Sequence, residues 1–394
     1  MLAVLPTTTA DLYSRDFRDA DKTIASGRVV ASSKDRQAFW RRWVNYAKPL
    51  NIDPLLINTP FEKKIRVITG FAARVRQGDY GQKDRVSCGR VQDAIRAVGQ
   101  TCELDYGINP LQKAPKEYLK PMELQFAGYR KEDPPPVPEL AVPVQLVNQI
   151  YDQLSGPGTS PKQHAVADLC IIAFYYLLRV GEYTCRNRKG NTRTVQFRFQ
   201  DIAFKADNYI LPLHSLTSTL MTATGGTLRL SNQKNGIRGS LIHRSSIGEG
   251  NTRYCPVRAL VRRFDHLRSN KAHADDLLST YWDHNGQHHI RPDDIMDAIR
   301  VAAQQLKLEN QGIPASRIGT HSLRAGGAMA LKFSGADRDD IKKLGRWTSD
   351  TFLIYIHDQI AAYQEGWTQQ MSQHRHFFNL EGAFSSLRII EQTE

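Results

Sequence analysis

Apolar residues recur at helical spacing along most of this chain, and at strand spacing in a stretch near its middle. Residues 1–34 are polar and mixed and read as a tail. From Arg36 the pattern turns helical. RQAFWRRWVNYAKPL sets Phe39, Trp40, Trp43 and Tyr46 among Arg36, Arg41, Arg42 and Lys48. In FEKKIRVITGFAARVRQG, Ile65, Ile68, Phe71, Ala72 and Val75 make one face, and Lys63, Lys64, Arg66, Arg74 and Arg76 the other. SCGRVQDAIRAVGQT repeats the spacing at Val91, Ala94, Ile95 and Val98, and also carries Arg90. A small helical bundle with basic outer faces is therefore predicted over residues 35–130. KEDPPPVPELAVP then interrupts the pattern. Pro134, Pro135, Pro136, Pro138 and Pro143 exclude a helix and favour an extended spacer over residues 131–143.

The second domain, over residues 144–375, opens with helical stretches at 144–154 and 161–180. Alternation in TVQFRFQDI, around YILPL and in TLRLS predicts a few short strands. Asn235-Gly236 in QKNGIRGSLIHR is a two-residue hairpin signal. From Cys255 onward the chain is helical again. The predicted fold class is mainly α: a helical N-terminal domain, then an α-rich domain with a small inserted antiparallel sheet. Residues 376–394 form a further apolar-containing segment, with Phe377, Phe378, Phe384, Leu387, Ile389 and Ile390.

Charge changes this picture most. The 394 residues carry a formal net charge of +13, and the sequence pI is about 9.5. Such a surplus fits a polyanion partner, most often nucleic acid, against the plainer reading of a basic, soluble surface. For each single Lys or Arg of the first domain a solvated face is the simpler explanation. The cluster as a whole is better explained by phosphate contacts. The candidate DNA-binding residues are Arg41, Arg42, Lys63, Lys64, Arg66 and Arg90.

The five cysteines are scattered and show no CxxC pair, which argues against a disulfide framework or a Cys-rich zinc site. No apolar run of about 18 residues is present, so no membrane partner is expected. The N-terminus lacks a basic region followed by a long apolar core, so no secretory signal is expected. His284, His288 and His289 lie close together in DHNGQHHI, which reads as a loop. Nothing nearby completes a ligand set, so no metal is expected.

Candidate chemistry sits in short contexts of the second domain. Arg179 follows the apolar DLCIIAFYYLL and precedes Gly181, a helix terminator. It reads either as a charge complementing a helix end or as a functional cation. Lys234 stands before the Asn-Gly turn, where it is either solvated or a long donor on a hairpin tip. His321 and Arg324 share a face of a helix starting near Thr320, and AGGAMALKFSG says that helix is buried. A buried Arg needs an anion, supplied by an internal carboxylate or by a substrate phosphate. Trp347 lies in the turn LGRWTSD, with Ser349 or Asp350 capping a next helix that carries Tyr355.

Taken in order, these residues are Arg, Lys, His-x-x-Arg, Trp and Tyr in the contexts LLRVGE, QKNG, HSLRAGGA and LGRW. In this the chain resembles the tyrosine recombinase family of the phage integrase type. LGRWTSDTFLIYI looks most like the eukaryotic mobile-element branch of the Crypton and DIRS type, with Trp in place of the second His as in the Cre recombinase. The resemblance spans a core-binding domain at about 36–128 and a catalytic domain at about 140–375.

It implies the tyrosine recombinase fold and cofactor-free breaking and rejoining of double-stranded DNA by a homotetramer on two sites. Location would be nuclear in a eukaryote and otherwise with the DNA in the cytoplasm. Tyr355 would be the nucleophile, forming a 3′-phosphotyrosyl ester that conserves the energy of the broken bond. The Trp347–Tyr355 gap is one residue shorter than in many phage members, which leaves Tyr363 as the alternative nucleophile. Arg179 and Arg324 would hold the phosphate oxygens, and Lys234 would protonate the departing 5′-oxygen. His321 would bond the phosphate or take the tyrosine proton, Trp347 would donate its indole N–H, and Glu182 would support the site. The segment 376–394 would dock on a neighbouring protomer or fold back on its own domain.

Overall fold

The computed structural model describes residues 6–26, 30–78, 85–107, 109–114, 117–135, 139–185, 195–231, 239–248, 253–347 and 353. Lys234, the Asn235-Gly236 turn, Ser349, Asp350, Tyr355, Tyr363 and residues 376–394 lie outside the described residues. The protein is mainly α-helical with a small antiparallel sheet. Its contacts divide it into two compact units, the first running to Val137 and the second starting at Pro138.

The first unit holds helices α1 (Thr7–Ser26), α2 (Val30–Ala47), α3 (Phe61–Arg76), α4 (Cys88–Tyr106) and α5 (Lys120–Glu132). A short antiparallel pair, β1 (Gln112–Ala114) and β2 (Glu117–Tyr118), precedes α5. The apolar faces read from the sequence meet in one core built on Trp43, Phe71, Val91, Ile95, Met122 and Phe126. Trp43 is buried and its indole Nε1–H donates to Pro54 O at 2.8 Å, so the ring packs without stranding a donor. Ser87 caps α4 through Arg90 N, and Gly107 ends it at φ 76°.

Two readings of this unit need correction. The polar N-terminal stretch is helical over Thr7–Ser26, with Tyr13 and Phe17 stacked one turn apart on its exposed side. Its few apolar positions hid the period. Arg76 does not belong to the basic outer face. It is 2% exposed. Its guanidinium pairs with Asp133 and Glu132, donates to Val86 O at 2.5 Å and lies 5.0 Å over the Tyr129 ring.

In the second unit, α6 (Val144–Leu154) and α7 (Pro161–Tyr175) open the fold, followed by the single turn α8 (Val180–Tyr183). α7 starts in a capping box between Ser160 and Gln163. Residues 165–174 are all buried, because helices pack around it. Strands β3 (Ile202–Ala206), β4 (Tyr209–Leu211), β5 (Gly225–Leu230) and β6 (Ser240–Ser245) form an antiparallel sheet in the order β4-β3-β5-β6. The short α9 (Thr217–Leu220) links β4 to β5. TVQFRFQDI becomes a strand only at its end, since residues 199–201 make a 3-10 turn first. α10 (Pro256–Ser269) follows, then β7 (Thr280–Asp283), β8 (Gly286–His289), α11 (Pro292–Gln305), α12 (His321–Phe333) and α13 (Arg338–Gly345).

The spacer predicted over 131–143 is shorter than its prolines suggested. Leu140, Ala141 and Val142 are buried in the second unit, and Leu140 N donates to Arg317 O at 2.8 Å. Proline density registered the extended backbone, but the burial depends on α12, far away in sequence. DHNGQHHI is likewise not a loop. It spans the β7–β8 hairpin, with Asp283 paired to Gly286 and Thr280 to His289.

Candidate functional site

The site begins where α7 stops. Gly181 is not the terminator; it sits inside α8. The chain turns at Leu177, which is left-handed at φ 53°, an uncommon conformation for a branched residue. The carbonyl of Leu177 there accepts from two arginines, Arg324 Nη1 at 2.7 Å and Arg346 Nη2 at 2.9 Å.

Two residues on, Arg179 is the N-cap of α8. Its backbone N–H donates to Glu182 Oε2 at 2.9 Å, and its Nη1 to Oε1 at 3.1 Å. The Glu182 side chain is wholly buried, while Arg179 keeps 21% of its side chain exposed. Arg346 closes the other side of the carboxylate with both prongs, Nη1 to Oε1 at 3.1 Å and Nη2 to Oε2 at 3.0 Å. Burial pushes the Glu182 pKa up. The charge of Arg346 foremost, with hydrogen bonds from Arg346 and Arg179, outweighs this and holds it below the ordinary carboxylate value.

Arg324 projects from the second turn of α12 into the interior. Besides Leu177 O it donates to Gly345 O, and its guanidinium lies 4.4 Å over the Trp347 ring. Two features bring its helix so close. A Cβ on Gly326 would strike Val142 O, and one on Gly327 would strike Phe174 O, so only glycine fits against the end of α7. Gly345 faces the Trp347 ring in the same way. Arg244, on β6, adds a fourth guanidinium. Its Nε donates to Tyr175 O at 2.7 Å and its Nη2 to Leu344 O at 3.4 Å. Burial first, and then repulsion from Arg346, lower the pKa of Arg244.

The structure thus brings together Arg179, Glu182, Arg324 and Trp347 of the residues predicted from sequence. His321 lies at the exposed start of α12, where its backbone N–H donates to Glu139 Oε2 at 3.0 Å. Arg346 and Arg244 were not anticipated. The pattern LGRW contained the first, but an Arg at the end of an amphipathic helix reads as an ordinary complement to the helix dipole. Arg244 follows the predicted hairpin in LIHR, and no local pattern marks it.

In the first unit, Arg42 and Arg90 both lie over the Phe39 ring, at 5.4 and 4.7 Å, which brings α2 and the start of α4 to one basic patch. Arg41, Lys63 and Arg66 are exposed, and Lys64 is half-buried. Among the described residues no group of three His, Cys, Asp or Glu could hold a metal ion. His288 Nε2 sits 3.2 Å from Asp283, and the Nδ1 of His289 3.1 Å from Thr280 Oγ1. Among the described residues no helix is long and apolar enough to cross a membrane.

No family model and no curated protein matches the chain. It is similar to solved structures at low identity. One is XerA recombinase, at 15% identity over 91% of this chain and 96% of that one, with a TM-score of 0.34. Another is XerH site-specific recombinase bound to palindromic difH substrate in a post-cleavage complex, at 12% over 79% and 72%, TM-score 0.43. A third is the Tn1549 transposon integrase in complex with transposon right end DNA, at 12% over 79% and 87%, TM-score 0.39.

Proposed function

We propose that this protein is a site-specific DNA recombinase of the tyrosine type, breaking and rejoining strands of two duplexes through a 3′-phosphotyrosyl intermediate. The observation that carries the reading is the convergence of Arg179, Arg324 and Arg346 on the turn at 177–182, where carbonyls, one carboxylate and an indole ring orient them. Oriented guanidinium groups are what a phosphate gathering charge in transit requires.

In this mechanism the Oη of Tyr355 attacks the scissile phosphorus and the bond to the 5′-oxygen breaks. The phenolic proton passes to His321, and Lys234 gives a proton to the leaving oxygen. Arg179 and Arg324 hold the non-bridging oxygens. Reversal by a 5′-hydroxyl of the second duplex restores the phosphodiester and frees the tyrosine, so no external energy source is needed. The cations of the first unit, Arg41, Arg42, Lys63, Lys64, Arg66 and Arg90, grip the duplex backbone. Four protomers assemble on two sites, with residues 376–394 as the docking segment.

The test uses two duplexes selected for binding from a random-sequence pool. Exchanged products from a four-protomer assembly are expected. Relaxation of supercoils by single protomers, without exchange, would replace this reading with a type IB topoisomerase. Binding with neither activity would leave a DNA-binding protein that no longer cuts.

A further inference from the structure

The turn at 345–347 touches Arg324, Glu182 and Leu177. Gly345 O accepts from Arg324, the side chain of Arg346 grips Glu182 and Leu177 O, and the Trp347 ring covers the Arg324 guanidinium. Arg346 is its central residue and is left-handed at φ 59°, where glycine would be easier to place. A strained arginine at this point says that the side chain, rather than the turn, determines the residue. That side chain is 8% exposed, and both terminal nitrogens are occupied by Glu182 and Leu177 O. Its fork is turned inward, onto that carboxylate and that carbonyl.

We propose that Arg346 is a positioning residue: it takes up the charge of the buried Glu182 carboxylate, so that the more exposed Arg179 keeps its own charge and donors for a bound phosphate. This rests on reading Arg179 as a phosphate-holding residue. Glu182 Oε1 receives Arg179 and Arg346 equally, at 3.1 Å each. A buried carboxylate must be neutralised by whatever cation remains. Without Arg346 that cation is Arg179, which would be drawn onto both carboxylate oxygens and away from the phosphate. The demand is for an arginine because the planar fork meets both oxygens at once, which an ammonium does not do.

This gives an outcome that a merely structural residue would not. Arg346→Met lowers the rate of covalent adduct formation on a nicked suicide duplex by about 100-fold. Adding Glu182→Gln to Arg346→Met removes the negative charge that captures Arg179, and so raises the rate again, by about tenfold. The cycle is measured on wild type, both single variants and the double variant, each checked for folding by circular dichroism. If Arg346→Met does not fold, Arg346→Lys replaces it and shows a smaller gain of the same sign. Near-normal cleavage by Arg346→Met, or no gain on adding Glu182→Gln in either cycle, overturns the proposal.

A wild type that makes no adduct at all sinks the functional reading instead. Phenylglyoxal labelling of Arg179, followed by peptide mass, then decides the positioning role. Slower labelling in Arg346→Met, restored in the double variant, is expected, and equal rates in all variants overturn it.

Discussion

Arg76 in the first unit and Arg324 in the second are both buried to within 2% of full coverage, and their described partners differ in kind. Arg76 meets carboxylates, Asp133 and Glu132, beside the carbonyls of Val86 and Tyr129. Its charge is answered on the spot, and it staples the end of α3 to the end of α5. Arg324 is oriented by the carbonyls of Leu177 and Gly345 and by the face of Trp347. These described partners orient the guanidinium through dipoles and a ring quadrupole. The carboxylate of that cluster, Glu182, is taken by Arg346 and Arg179. Burial of an arginine therefore says little by itself. Substitution separates a staple from a candidate anion-holding residue, through whether stability or strand cleavage responds.

Substitution at the two positions sharpens the difference. Arg324→Lys keeps the charge and loses the fork, so strand cleavage is expected to fall by about 100- to 1,000-fold. DNA affinity, spread over many phosphates, changes little. Near-normal cleavage measured by adduct formation would make Arg324 a staple too. Arg76→Met acts on stability instead. Loss of charge-assisted hydrogen bonds worth about 2 kcal/mol lowers the melting temperature of the first unit by about 10 °C. An unchanged melting temperature with lost DNA binding would move Arg76 to the ligand side of the comparison.

The exposed cations of the first unit are a third class, solvated rather than stapled or aimed. Exposed Lys63 and Arg66, with half-buried Lys64, stand along the first turns of α3. Replacing all three with alanine should reduce the slope of log affinity against log salt by about 3, roughly one per phosphate contact. A titration with an unchanged slope would remove them from the interface.

Local pattern carried much of this molecule. The apolar faces of α3 and α4, the bounds of α6 and the burial of α12 around Arg324 could all be read from the order of residues. Several of the departures share a physical cause: each depends on something distant in sequence. Leu140, Ala141 and Val142 are buried by α12, Arg76 is claimed by Asp133 across a long separation, and Arg346 gains its role from Glu182. Leu177 turns left-handed because the packing around it sets that conformation, and nothing in LLRVG marks it. The β7–β8 hairpin is local, but Asp283, Gln287, His288 and His289 give its strands no apolar alternation to read.

If this arginine cluster serves a tyrosine that attacks a phosphodiester, the resulting covalent bond can be captured. The most direct measurement traps that bond. Wild type, Tyr355→Phe and Tyr363→Phe are incubated with nicked suicide duplexes that the protein binds, and covalent protein–DNA adducts are resolved under denaturing conditions. Adduct from wild type and Tyr363→Phe, and none from Tyr355→Phe at undiminished DNA binding, is the predicted result. Adduct that persists in Tyr355→Phe and vanishes in Tyr363→Phe would make Tyr363 the nucleophile, and no adduct from any of the three would mean that the protein does not cut DNA through a tyrosine.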